Sequence, residues 1–179
     1  HEASFKNWVD PDKLDLTCTD ERLIGLMGLV YFFGFGISAL IIPRIADDKG
    51  RKWPYFWALI VQLFGYYMVV RSKSIYETIF YYAVIGLCAG GRNVIGIMYL
   101  NEFVEEKYEN AITCTANVGD SLVMIFQGIY YSYNRDWLPL HEFGLLISAV
   151  VMIGILLLPE SPKFYYANRK FNKARECMK

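Results

Sequence analysis

Long uncharged runs and short charged stretches alternate along the chain, and the runs predict helices. Leu23–Ile42 is an unbroken apolar run of about 20 residues, and Trp53–Val70 is one of about 18, relieved only by Gln62. Three more follow: 78–100, which carries Arg92; 111–133, which carries Asp120 and Gln127; and 143–158, which is short and uncharged. A bilayer core about 30 Å thick needs about 20 helical residues to cross it. The runs are too long for strands and do not alternate with period two. A soluble helical bundle is the competing reading. Soluble helices keep a polar face, however, and these runs show almost none. The pattern therefore divides the chain into a leading segment at 1–20, a membrane bundle at 21–160 and a polar tail at 161–179. Pro162 favours a helix start. Phe164, Ala167, Phe171 and Ala174 then recur at helical spacing among basic residues, so the tail reads as an amphipathic helix on the membrane surface.

Small residues recur four apart, at Gly34 and Ser38 and again at Gly86 and Gly90. Such pairs let helix backbones approach in lipid, although glycine is common in membrane helices in any case. The chain is 179 residues long with 18 basic and 18 acidic side chains, so no basic field invites nucleic acid. Its four cysteines lie at 18, 88, 114 and 177 without a C-x-x-C pair, and neither a zinc site nor a disulfide framework is expected. Cys88 and Cys114 fit small core residues. Beginning at His1 without a methionine or signal peptide, the sequence reads as a piece of a longer chain or a processed one.

Lys and Arg near helix ends set orientation. Arg44, Lys49, Arg51 and Lys52 cluster after the first run, and six more basic residues follow Pro162. Two spans on either side of the 101–110 loop separate these regions, so both fall on one face, which is expected to be cytoplasmic (or the matrix side, in a mitochondrion). The 101–110 loop shares that face although it is acidic. Acidic residues count little for topology.

The densest charge lies in "IADDKGRK", residues 45–52, between the first two runs. A short reversal needs a residue that tolerates positive φ, which Gly50 supplies. Arg51 can reach a carboxylate or helix C-terminal carbonyls. "PRIADDKGRK" resembles the loop motif of the major facilitator superfamily: glycine, three residues, aspartate, two residues, glycine, basic pair. Asp47, Gly50, Arg51 and Lys52 match it, and Pro43 stands where the first glycine belongs. "DLTC" at 15–18, "NEFV" at 101–104 and "LPESPKFYY" at 158–166 are similar to motifs of the organic cation and anion transporter branch, and the last also to the sugar porters. The resemblance implies an all-α membrane protein, a partial major-facilitator bundle. Its five transmembrane helices would be the second to sixth of the amino-terminal half, followed by a cytoplasmic amphipathic helix. It also implies a cytoplasmic gating motif of Asp47, Gly50, Arg51, Lys52, Glu102 and Glu160.

Charges inside a membrane are costly and are functional candidates by default. Arg92 and Asp120 each lie about nine residues from the cytoplasmic end of their runs, roughly 14 Å deep in consecutive antiparallel helices. They are expected to form a buried pair, either as internal glue or facing a cavity that takes a charged substrate or proton. Gln62 reaches a similar depth. Gln127 is a further lining candidate, with Tyr99 and Tyr130, though most of the 14 tyrosines suit an interfacial belt. No enzyme, cofactor or metal site is expected: His1 and His141 are the only histidines, both outside the runs, and "GLCAGG" is packing glycine.

One departure weakens the family pattern. The branch has a basic residue about seven positions after the equivalent of Glu102, where this chain has Glu109. Two functions stay open. The first is a secondary transporter of small organic ions or solutes, or its amino-terminal part, working against a carboxy-terminal half. The second is a transport-inactive accessory subunit of a larger membrane complex. The plasma membrane is the expected location, with a mitochondrial or other organelle membrane as the alternative.

Overall fold

A computed structural model describes residues 14, 16, 19–134, 136–172 and 175. Asp15, Thr17 and Cys18 of "DLTC", most of the leading segment and the last few residues of the tail lie outside them. Helix α1 (Glu21–Lys49) begins where the Asp20 carboxylate accepts from the Arg22 amide at 3.0 Å. It runs through Pro43 and carries Asp47, Asp48 and Lys49 of the charge cluster in its last turn. The loop expected over 44–52 therefore shrinks to Gly50 and Arg51, and Gly50 takes φ +95° to make the turn. Then follow α2 (Lys52–Arg71) and α3 (Ile75–Gly90). A π-helical turn (Gly91–Ile95) leads without a break into α4 (Gly96–Asn101), and α5 (Glu106–Tyr133), α6 (Leu138–Leu157) and α7 (Pro162–Ala167) complete the order. The described residues are helical throughout their long elements, with no strand among them, as expected.

Backbone contact between α1 and α3 forms the centre of the bundle. A Cβ on Gly86 would lie 2.2 Å from the Tyr31 carbonyl oxygen, and one on Gly90 would lie 2.0 Å from Ser38 Oγ. The four-residue spacing of small residues thus marks a true seam. Ser38, buried there, returns its hydroxyl to the Phe35 carbonyl at 3.0 Å. Helix α2 packs on α3 where Gly65 meets Ile85 and on the π turn where Gly91 meets Ala58, and α6 packs on α2. At the Ser72 end, the buried Thr78 hydroxyl lies 2.8 Å from Ser72 Oγ and donates to the Ser74 carbonyl.

Four helices are long and apolar enough to cross a membrane: α1, α2, the continuous Ile75–Asn101 rod, and the one beginning at Leu138. Helix α5 is the exception. It has the length, 28 residues, and no buried side chain. Contrary to expectation it is amphipathic. Val118, Leu122, Ile125 and Ile129 form one exposed apolar stripe, while Asn117, Asp120 and Gln127 fall on another. Cys88 is half-buried as expected, but Cys114 is exposed on α5. The tail is not the single helix its periodicity suggested: α7 stops at Ala167, Arg169 takes φ +57° in the turn that follows, and helical backbone resumes at Phe171. Lys173, Ala174 and residues 176–179 lie outside the described residues.

Candidate functional site

At the Gly50 end, segments distant in sequence meet on Glu160. It lies in the short link between α6 and α7, 9% exposed, and its Oε1 accepts from the amides of Arg51 and Lys52 at 3.0 Å each and of Ser161 at 3.2 Å. The first two belong to the start of α2, where helix geometry leaves amides without partners and the dipole favours a negative charge. A carboxylate from more than 100 residues away thus caps α2. Lys52 answers in kind, its Nζ donating to the carbonyls of Leu156 and Leu158 at the open end of α6. Gly50 is needed for more than its φ, because a Cβ there would come within 3.0 Å of Glu160 Oε2. Tyr99, buried on α4, donates its hydroxyl to the Pro159 carbonyl and so belongs to this cluster, not to a cavity.

Arg51 joins two further carboxylates. Its Nε lies 2.6 Å from Glu102 Oε1, and a terminal nitrogen lies 3.3 Å from Asp47 Oδ1. All six gating candidates therefore come together. Glu102 Oε2 is buried with no hydrogen-bond partner among the described residues. Glu109 itself is paired with Lys163, Nζ to Oε1, at 3.1 Å. Sequence reasoning missed this partner. The signal was present, since Lys163 follows the "PESP" stretch with the sign opposite to Glu109.

The pair joins the first turns of α5 and α7 and is half exposed, so its contribution is modest. Lys163→Glu is expected to cost about 0.5 kcal/mol in a detergent unfolding titration, and adding Glu109→Lys should restore it. Additive losses in the double variant would show that the two side chains do not interact.

The second feature is an open groove of about 410 Å³ between α2, the π turn, α4 and α5. Arg92, Asn93, Asn117, Asp120 and Tyr55 supply its polar lining, with Gly96, Ile97, Leu100 and Ala116 between them. The expected buried Arg92–Asp120 pair is not formed. Both side chains are exposed, and neither takes part in an ion pair among the described residues. Arg92 Nε donates instead to Asn93 Oδ1 at 3.2 Å. The depth count assumed a regular helix. Arg92 sits in a π turn, which inserts a residue and re-aims the side chains around it. Gln127 and Tyr130 do not line this groove, and Gln62 is half-buried in α2 with its Oε1 unpartnered. Among the described residues no cluster of His, Cys, Asp or Glu suits a metal ion.

Comparison with known proteins bears on these features. The family model described as "Sugar (and other) transporter" matches residues 4–179. The hexose transporter HXT13 of Saccharomyces cerevisiae is 25% identical over 159 residues, covering 85% of this chain and 28% of the relative. The glucose transporter GlcP of Staphylococcus epidermidis is 26% identical, covering 82% of this chain and 35% of the relative. The carcinine transporter of Drosophila melanogaster is 25% identical over 92% of this chain and 24% of its own length. The chain thus spans about a quarter to a third of the length of these relatives.

Proposed function

Because the chain belongs to the sugar (and other) transporter family of the major facilitator superfamily, we propose that it is the amino-terminal part of a secondary transporter. That transporter moves small organic ions or solutes by alternating access, rocking against a carboxy-terminal half. The chain is an integral, multi-pass membrane protein, and its Gly50 end faces the cytoplasm of the plasma membrane in this reading, as the basic clusters favour. Neither the motif chemistry nor the family points to an enzyme.

The observation that carries the reading is the Glu160–Arg51–Glu102 network. It joins the turn after α1 with the ends of α4 and α6, the place where a transporter needs a latch that closes in one access state and opens in the other. The departures at this end do not dismantle it. Pro43 is accommodated within α1, and Glu109 has found Lys163. A second reading, a transport-inactive accessory subunit, is favoured by α5, which buries no side chain and offers an apolar stripe to another membrane subunit.

The natural polypeptide, reconstituted into vesicles under a proton or sodium gradient, is expected to accumulate at least one labelled solute. The panel should contain hexoses, organic cations and small amino acids. Arg51→Gln should slow that uptake at least about tenfold, as removing one charged hydrogen-bonding partner does. No uptake from the panel, with the chain recovered in a fixed ratio with another membrane protein, would support the accessory reading instead.

A further inference from the structure

Resting on the transporter reading, we propose that the groove beside the π turn takes a small zwitterion, its anionic group on Arg92 and its cationic group on Asp120. The two side chains line one groove from opposite sides, Arg92 from the π turn and Asp120 from the middle of α5. Neither has an ionic partner among the described residues. Arg92 spends one donor on Asn93 and keeps its terminal nitrogens. Asp120 makes no hydrogen bond among the described residues. A lone charge inside a membrane is expensive unless it is paired or faces water.

Three ligand classes compete for such a groove. A neutral polyol would be held by Tyr55, Asn93 and Asn117, and would leave both charges without a counter-charge. An organic cation satisfies Asp120 and strands Arg92, and an organic anion does the reverse. A zwitterion neutralises both with charge-assisted hydrogen bonds, which are the strong ones. The neutral amides and the Tyr55 hydroxyl then face the spacer between its ends. The specificity is a consequence of the missing internal pair: had Arg92 and Asp120 met each other, a ligand would have to break that contact to bind.

The test is equilibrium binding to the purified natural polypeptide in detergent, with labelled β-alanine and 4-aminobutanoate as zwitterions and butanoate and butylammonium as single-charge probes. A zwitterion is expected to bind at least about tenfold tighter than either single-charge probe, since each adds only one charged contact. Arg92→Gln should bring the zwitterion down to the level of butylammonium, and Asp120→Asn to the level of butanoate. Equal affinity for all probes, or affinity unmoved by both substitutions, overturns the proposal. So does a result in which each single variant loses thermal stability and the Arg92→Gln, Asp120→Asn double variant regains it, because that marks an internal ion pair. Hexose uptake without zwitterion binding would remove the substrate class and leave the transporter reading standing. Zwitterion binding without uptake of any solute would do the opposite.

Discussion

Replacing Gly86 by leucine is expected to destabilise the bundle by about 3 kcal/mol or more, toward the upper end of what overpacking costs. The added Cβ would lie 2.2 Å from the Tyr31 carbonyl oxygen and 2.9 Å from its carbonyl carbon. Both are backbone atoms of α1, so no side-chain rotation relieves the clash and the two helices have to separate. That separation would also undo the packing one turn away, where Gly90 meets Ser38. In lipid, association of helices relies on close backbone packing more than on burial of oil from water, so small residues carry more of the stability than they do in a soluble core. Gly36→Leu on α1 is the matched control. Nothing lies within 4 Å of a Cβ there, and its change should stay within about 0.5 kcal/mol. The check is an unfolding titration in mixed detergent. Equal midpoints for the two variants would show that α1 and α3 are not in backbone contact.

Glu160→Ala is expected to cost about 3 kcal/mol and to abolish uptake. The substitution removes the acceptor shared by the amides of Arg51, Lys52 and Ser161, and charged hydrogen bonds contribute about 1.5–3 kcal/mol each before such sharing is discounted. Glu160→Gln keeps one oxygen in place and loses the charge, so it should recover roughly half of the loss. Hydrogen exchange gives a local readout: the Arg51 and Lys52 amides should exchange faster in the alanine variant, while those in the middle of α3 should not. Unchanged protection at Arg51 and Lys52 would mean that Glu160 does not cap α2.

Much of this was legible because membrane helices announce themselves in one dimension. Uncharged runs such as Leu23–Ile42 and Trp53–Val70 need no tertiary information to be assigned, and both fall inside observed helices. The spacing Asp47, Gly50, Arg51 likewise fixed where the chain turns, although the turn proved tighter than a charged loop suggested. What was not legible depends on contacts between distant segments. That Glu160 caps α2 follows from where α6 ends relative to α2. That Glu109 meets Lys163 follows from where α7 docks. The Arg92–Asp120 pair failed for a different reason. Counting residues from a helix end presumes a uniform rise per residue. The π turn at Gly91–Ile95, wedged where Gly91 meets Ile42 and Ala58, breaks that presumption at the residue that mattered.

Thiol accessibility along α5 tests most directly the proposal that this helix also spans the membrane, its polar side lining a watery groove and its apolar stripe meeting lipid. In the natural polypeptide with its native cysteines replaced, Asn117→Cys and Leu122→Cys are placed in turn and treated with a charged, membrane-impermeant thiol reagent. The groove position at 117 is expected to react and the apolar position at 122 to stay protected until detergent is added. Rapid labelling at both positions in intact membranes would mean that α5 stands in water, and the account of these helices as membrane spans around a solute path would be wrong.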